Sequence, residues 1–307
     1  MTEIIEPLLH SMVAAGTTYL LGTLGTILTE RSGVQNLGVE GMLTMGAVTG
    51  FVVASTTGNV LLGVAAAAAV AGLMGLIHAF VCITLGRNQI VSGLALTMLG
   101  TGLSGLLGKP YVGLRLPTKI PNVPIPFLAD MPILGDFLFT HGPLTYLSLL
   151  LVPVVWFFLF RTAGGIIVRS VGENPDAVDA LGVSVEKTRY FCTVLGGVLI
   201  GLAGAYLSLS YTPAWSEGMT GGKGWIIVGL TIFAMWSPER ALLGAYLFGG
   251  IEVLQYRLQP LGISPSLLAA LPYAATIVAL LFGASERMRK RIGAPSALGR
   301  PFKRGEK

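Results

Sequence analysis

The chain has 307 residues, 53% of them hydrophobic and 11% charged, with a mean hydropathy of +0.74 and a formal net charge of +5. A soluble domain is about 45–50% apolar and about 25% charged, so this chain has too little charge to cover a water-facing surface. Apolar runs long enough to cross a bilayer as helices recur along it, and the roughly ten-residue alternation of a β-barrel does not.

The expected fold class is therefore an all-α polytopic membrane protein, a bundle of about nine (8–10) transmembrane helices. The net charge does not point to nucleic acid. Much of the excess falls in the last 21 residues, directly after an apolar run, where a basic tail is drawn to anionic headgroups. The opening MTEIIEPLLHSM has two acids and neither Lys nor Arg, unlike the basic leader of a cleaved signal peptide.

In chain order, spans are expected near 12–29, 34–54, 60–85, 90–108, 143–160, 190–211, 224–236, 240–256 and 266–283. The seventh is short, so re-entrant or tilted. With the C-terminus placed in the cytoplasm and the sides alternated backwards, 15 of the 20 Lys and Arg fall inside. Only Lys109, Arg115, Lys119, Lys223 and Arg257 fall outside, which matches the positive-inside rule with an external N-terminus. The chain reads as one transmembrane domain, 1–307, with an external loop at about 109–142 and a basic cytoplasmic tail at about 284–307. Six prolines break up the external loop, whose PILGDFLF stretch suits a short amphipathic piece on the membrane surface. That loop reads as a connector or as part of a docking surface. Cys82 and Cys192 fall in apolar runs and read as small apolar filler.

Glycine is frequent, 42 of 307. Gly197, Gly201 and Ala205 form one small-residue ridge, and Ala241, Ala245 and Gly249 another. Such ridges let helices approach closely in lipid.

Residues 171–191 carry six charges in 21 positions between two apolar runs. Asn174 suits an N-cap, Pro175 the first helical position, Asp176 the first turn and Gly182 the stop. A helix of about two turns is expected at 175–181, with Val178 and Leu181 on one apolar face and Ser184 opening the next helix. It reads as a connector or as a plug for a groove on another protein.

At this point the wording resembles a known family. FRTAGGIIVRSVGENPDAVDALGVSVEKTRY resembles the cytoplasmic coupling loop of permease subunits of ABC importers, in the branched-chain amino acid and simple-sugar permease superfamily. The nucleoside and simple-sugar types are the most similar. ERSGVQNLGVEGMLTMGA, NQIVSGLALTMLGTGLSG and GWIIVGLTIFAMWSPERALLGAYLFGGIEVLQ resemble its other signatures, in order along nearly the whole chain. The resemblance implies a short cytoplasmic coupling helix in a loop of about 162–189. Gly172, Glu173, Asn174, Pro175, Ala180 and Gly182 would meet the ATPase. It also implies an ABC ATPase subunit, a second permease subunit (the same or related), an extracytoplasmic solute-binding protein and the bilayer as partners, with no nucleic acid. The location implied is the bacterial inner membrane, multi-pass. The loop departs from the sugar-type pattern at Val178, usually Ala, and at Arg169–Gly172, usually RAxG.

No cofactor is expected on this chain: no G-x-x-x-x-G-K-[ST] occurs, so ATP and Mg would be handled by the partner. Catalytic and metal residues are likewise not expected. His10, His78 and His141 are scattered and no paired-acid motif appears, which speaks against a membrane enzyme.

An ionisable group inside a span costs about 2.5–3.5 kcal/mol on insertion scales, so each is a functional candidate. Glu40 fits two roles: lining a pathway with Asn36, or pairing with Arg31. His78 reads as a neutral hydrogen bonder. Glu252, near Gln255 and Arg257, faces a wet cavity or reaches the headgroups. Asn88, Gln89 and Ser92 line the pathway or cap their helix. Trp225 and Trp236 bracket the seventh span as interfacial aromatics do, and Trp225 is also placed to stack on a sugar or base ring. The pathway set is thus Asn36, Glu40, Gln89, Ser92, Trp225 and Glu252. So few fixed charges favour a neutral polar solute over a bare ion, which a nucleoside or simple sugar fits; the resemblance implies that import is driven by a separate ATPase. The alternative is an ion-coupled secondary transporter or channel, which needs intramembrane charges or broken helices.

Overall fold

A computed structural model describes residues 2–116, 120–131, 134–283 and 293–302. Lys119, part of PILGDFLF and most of the basic tail lie outside the described residues. The described residues are helical throughout, apart from loops and one isolated bridge between Arg115 and Ala214.

The helices are α1 (Thr2–Arg31), α2 (Val39–Thr57), α3 (Val60–Ala79), α4 (Gln89–Gly108), α5 (Leu134–Leu138), α6 (Pro143–Arg161), α7 (Ala163–Glu173), α8 (Pro175–Ala180), α9 (Val185–Tyr206), α10 (Lys223–Phe233), α11 (Pro238–Leu258), α12 (Pro265–Ala269) and α13 (Leu271–Gly283). π turns at Phe80–Thr84 and Leu207–Tyr211 extend α3 and α9.

All nine expected runs are helical. Among the described residues, six are long and apolar enough to cross a membrane, those built on α1, α2, α3, α4, α6 and α9. The other three miss for visible reasons. α10 has 11 residues. α11 is long but carries Glu239, Arg240, Glu252 and Arg257. The ninth run divides into α12 and α13 at Ala270. The second run starts later than expected, because residues 34–38 are not helical.

α1, α2 and α9 are the most enclosed spans, whereas α3, α4 and α6 turn most of their surface outward. α9 packs along α3, α1 and α2, and α11 packs along α1. Both small-residue ridges lie in these seams. A Cβ on Gly197 or Gly201 would collide with the carbonyl oxygens of Ala71 and Ala67 on α3. A Cβ on Gly249 would meet the backbone of Met12 and Gly16 on α1. The close approach is what fastens these helices, since lipid supplies no hydrophobic drive between them.

Cys82 and Cys192 are free and buried. PILGDFLF does yield the short α5, which packs against α1.

A Gly201→Leu chain should unfold in detergent at a lower temperature, with an overpacking cost of at least about 1–3 kcal/mol. Leu73→Ala on the outward face of α3, where Leu73 is 55% exposed, should change the melting curve little. Equal losses from both would mean that the ridge is not the fastening seam.

Candidate functional site

α10 begins in the middle of the molecule. Its first residue, Lys223, bonds Tyr19 of α1, while the turn after its end is held by Arg31 of the same helix. Tyr19 and Arg31 stand twelve residues apart, about 18 Å along α1 at 1.5 Å per residue. Tyr19 lies about midway along the apolar span Glu6–Arg31, so the N-terminus of α10 is level with the middle of that span.

A helix starting there leaves its first N–H groups without intrahelical partners. Lys223 N donates to Thr220 O, and Glu40, in the first turn of α2, takes the amides on either side of it. Its Oε1 accepts from Gly222 N (3.1 Å) and from Thr220 Oγ1 (2.6 Å), and its Oε2 accepts from Gly224 N (2.6 Å). Thr44, one turn on, shares a hydrogen bond with Thr220. A Cβ on Gly224 would overlap the backbone of Glu40, so only glycine lets the two helix starts touch. The carboxylate also meets the positive end of the α10 dipole.

The far end is held by α1. Arg31 Nε donates to Trp236 O (3.1 Å) and Nη2 to Met235 O (3.2 Å), while Trp236 Nε1 donates to Glu30 Oε2 (2.6 Å). Met235 and Trp236 both have positive φ, 51° and 54°. Such residues cost of order 1–3 kcal/mol each, and these contacts hold them. A carboxylate at one end and a guanidinium at the other thus fix a short helix. Arg31 is engaged here and not with Glu40, which removes the pairing expected from sequence. Trp236 is buried, not an interfacial anchor.

Beside Lys223, its Nζ pairs with Glu252 Oε2 of α11 at 2.5 Å, and Tyr19 OH donates to the same oxygen at 2.7 Å. The ammonium also lies 5.1 Å from the Tyr19 ring centroid. Alternation of the spans expects Lys223 on the outer side; in the structure it sits beside Tyr19, level with the middle of the α1 span, because loop 212–222 folds back into the bundle. This triad opens on a cavity of about 250 Å³ lined also by Thr220, Gln255, Tyr256 and Tyr273. Aromatic faces, hydroxyls and an amide in one cavity suit a small neutral ring bearing hydrogen-bonding groups.

The other expected pathway residues lie apart from this cavity. Asn36 is buried; its Oδ1 accepts from Gly38 N (2.9 Å), shaping the break before α2. Gln89 Oε1 accepts from Gln35 N (2.7 Å), and Ser92 Oγ bonds His78 Nδ1 (3.0 Å). His78 Nε2 is 3.0 Å from Gln35 O, so His78 is a helix-to-linker hydrogen bonder. It is Asn88 that caps α4, accepting from Ile90 N and Val91 N. Trp225 is 40% exposed and is not among the residues that line the cavity.

Sequence reasoning missed Tyr19, Thr44, Thr220 and Lys223. The available signal was EGMTGGKG, a glycine-rich polar turn before a span too short to cross.

The charged insert forms a second candidate region. Asn174 caps α8, accepting from Ala177 N (3.1 Å), and Pro175 takes its first position. Gly182 ends the segment with φ +80°, and Ser184 caps α9. Val178 and Leu181 do not share a face as expected. Val178 packs inward with Val171 and Val185, while Leu181 is 82% exposed, because α8 stops at Ala180 and the chain turns. Glu173, Asn174, Ala180 and Gly182 are on the open side, Pro175 is half-buried, and Gly172 is buried against Arg31 O and Pro295. The insert is preceded by α7, which the sequence reading left within the loop.

Residues 8–280 match the family model described as branched-chain amino acid transport system / permease component. The chain is 41% identical, over 97% of both chains, to a putative glucose ABC transporter permease protein of Haloferax volcanii. It is 32% identical, over 99% of both chains, to a guanosine ABC transporter permease protein of Bacillus subtilis. A nucleoside ABC transporter permease protein of Lactococcus lactis is 29% identical over 90% of this chain and 92% of its own.

Glu40→Ala should leave the Gly222 and Gly224 amides without an acceptor, at about 1–3 kcal/mol each, and speed their hydrogen exchange. Exchange no faster than in the parent would remove Glu40 as the cap. Lys223→Met alone should cost about 3–5 kcal/mol by stranding the Glu252 charge, and adding Glu252→Gln should recover much of it. Additive losses in detergent unfolding would show that the two do not act as a pair.

Proposed function

The chain belongs to the branched-chain amino acid transport system permease-component family, and from that premise we propose that it is the membrane-spanning subunit of an ATP-driven importer for a sugar or nucleoside. The observation that carries this is the end-to-end match to ABC permeases, 97% of both chains in the glucose case. The relatives named for guanosine and for nucleosides cover 99% and 90% of the chain. Membership implies a multi-pass membrane protein working with an ATPase and a binding protein.

On this reading the whole of 1–307 is one permease domain with nine spans. α10 is a half-helix entering from the outer side, and α12 with α13 forms the last span. The N-terminus lies outside and the C-terminus in the cytoplasm. α8 is the coupling helix, presenting Glu173, Asn174, Pro175, Ala180, Gly182 and the exposed Leu181 to the ATPase, with Gly172 as the packed base beneath them. This chain contributes no ATP site and no catalysis; ATP and Mg belong to the partner.

The cavity at Tyr19, Glu252 and Tyr273 holds the solute on its way through. Glu40 and Asn36 shape the broken backbone beside it. Gln89 and Ser92 stand at the inner end, and Trp225 faces the second permease subunit, the same or related. A mid-depth half-helix beside an ion pair also suits an ion-coupled transporter. Here, however, Lys223 and Glu252 neutralise each other, and the relatives are ABC permeases.

Uptake of labelled nucleosides and simple sugars, in cells with and without this chain, tests the reading. One solute class should be lost on deletion, and an ATPase should co-purify in mild detergent. Uptake that follows an ion gradient with no ATPase attached would overturn it.

A further inference from the structure

The C-terminal segment 293–302 does not leave the molecule. It lies across the inner face and is bonded to three separate parts of it. At the α7–α8 junction, Ala297 N donates to Gly172 O (2.8 Å), and Glu173 Oε2 accepts from Ser296 N (3.2 Å) and Ser296 Oγ (2.7 Å). At the linker between α1 and α2, Gly299 N donates to Gly33 O (3.3 Å). At the start of α9, Arg189 is 1% exposed and spans two of these parts. Its Nε donates to Ser32 O (3.2 Å) and its Nη1 to Arg300 O (3.2 Å). Phe302 closes the segment against Val171, Val178 and Val185, the apolar floor of α8.

Two turn bonds stiffen the segment itself, Leu298 N to Pro295 O (2.9 Å) and Arg300 N to Ala297 O (3.1 Å). A buried guanidinium that binds carbonyls of both the tail and the linker is costly to leave unmatched. The tail is therefore a built part of the inner face and not a loose end. It touches the underside of α8 and, only a few residues along, the linker that leads from Arg31 to Glu40. Those two residues hold the ends of α10.

We propose that residues 293–302 form a coupling strap, passing a displacement of α8 to the α1–α2 linker and so to the half-helix α10. This rests on the reading of α8 as the helix that meets the ATPase. It adds a direct route from that helix to the pathway that does not run through the spans flanking α8.

The test uses the assembled transporter in proteoliposomes, with ATP hydrolysis and solute uptake measured on the same sample. The variant is Ser296→Ala/Ala297→Pro/Phe302→Ala, which removes two of the three hydrogen bonds to the α7–α8 junction, those of Ser296 Oγ and Ala297 N, and the apolar end. The ATPase should still co-purify in the parent ratio, while uptake per ATP hydrolysed falls about tenfold, in line with coupling networks elsewhere. Phe302→Leu alone, which keeps an apolar end on the floor of α8, should hold the parent ratio. An unchanged ratio in the triple variant would overturn the strap. So would loss of the ATPase from it, because the segment would then be a docking contact. Leu181→Asp separates the premise: on the exposed tip after α8 it should release the ATPase. If Leu181→Asp keeps both ATPase and uptake, the coupling-helix reading fails, whatever the strap variant does.

Discussion

A helix that starts inside a bundle of spans needs acceptors for its first N–H groups, and in this protein one carboxylate and the turn before the helix share that task. Glu40 receives the Gly222 and Gly224 amides and the Thr220 hydroxyl, while Lys223 N donates to Thr220 O. A buried amide without an acceptor is costly, so the position of α10 depends on where Glu40 stands. Glu40 in turn stands where it does because residues 32–38 run without helix from the end of α1. That linker is held along its length by other elements. Ser32 O accepts from Arg189, Gln35 N donates to Gln89, and Leu37 O accepts from Thr97 Oγ1 at 2.9 Å. A chain of 11 residues, 30–40, thereby meets α4, α9, α10 and the C-terminal segment.

The packing makes this arrangement possible. α1 and α9 meet where Gly25 and Gly196 place backbone on backbone, and α2 crosses α9 at Gly46, Gly201 and Gly204. At such separations the spans sit close enough for a side chain as short as Thr29 to approach a carbonyl on α9, 3.4 Å from Cys192 O. At the site itself, a Cβ on Gly224 would overlap the backbone of Glu40. The glycine content is thus tied to the polar site and not only to the stability of the bundle.

Much of the fold was legible from local signals. Apolar length found every long helix, and the caps Asn174, Pro175 and Ser184 fixed α8 and the start of α9. The small-residue spacing marked the seams. Local signals failed where a distant partner decides. Lys223 follows a loop that alternation puts outside, yet a contact 180 residues away in sequence, Thr220 to Glu40, draws that loop inward. Trp236 sits at a helix end like an interfacial anchor, but Glu30 takes its N–H into the interior. Val178 and Leu181 have helical spacing, and the early stop of α8 separates them. Arg300 and Phe302 read as members of a basic tail, because nothing in their own neighbourhood reports Arg189 or the valine floor.

The two polar systems also divide the work in a way that composition alone hides. Around the start of α10, the charges are matched: Lys223 with Glu252, and Glu40 with the N-terminus of α10. At the end of the bundle that carries α8 and residues 293–302, Arg31 and Arg189 hold backbone carbonyls. A matched pair resists being pulled apart, since each separated charge would stand in a low dielectric. A guanidinium on carbonyls is tied to backbone geometry, so a small shift of the linker or the tail changes its bonds without stranding an opposite charge. The rigid element and the adjustable one are joined by the ten residues from Arg31 to Glu40, so a shift that rearranges the bonds of Arg31 or Ser32 is passed along them toward the start of α10.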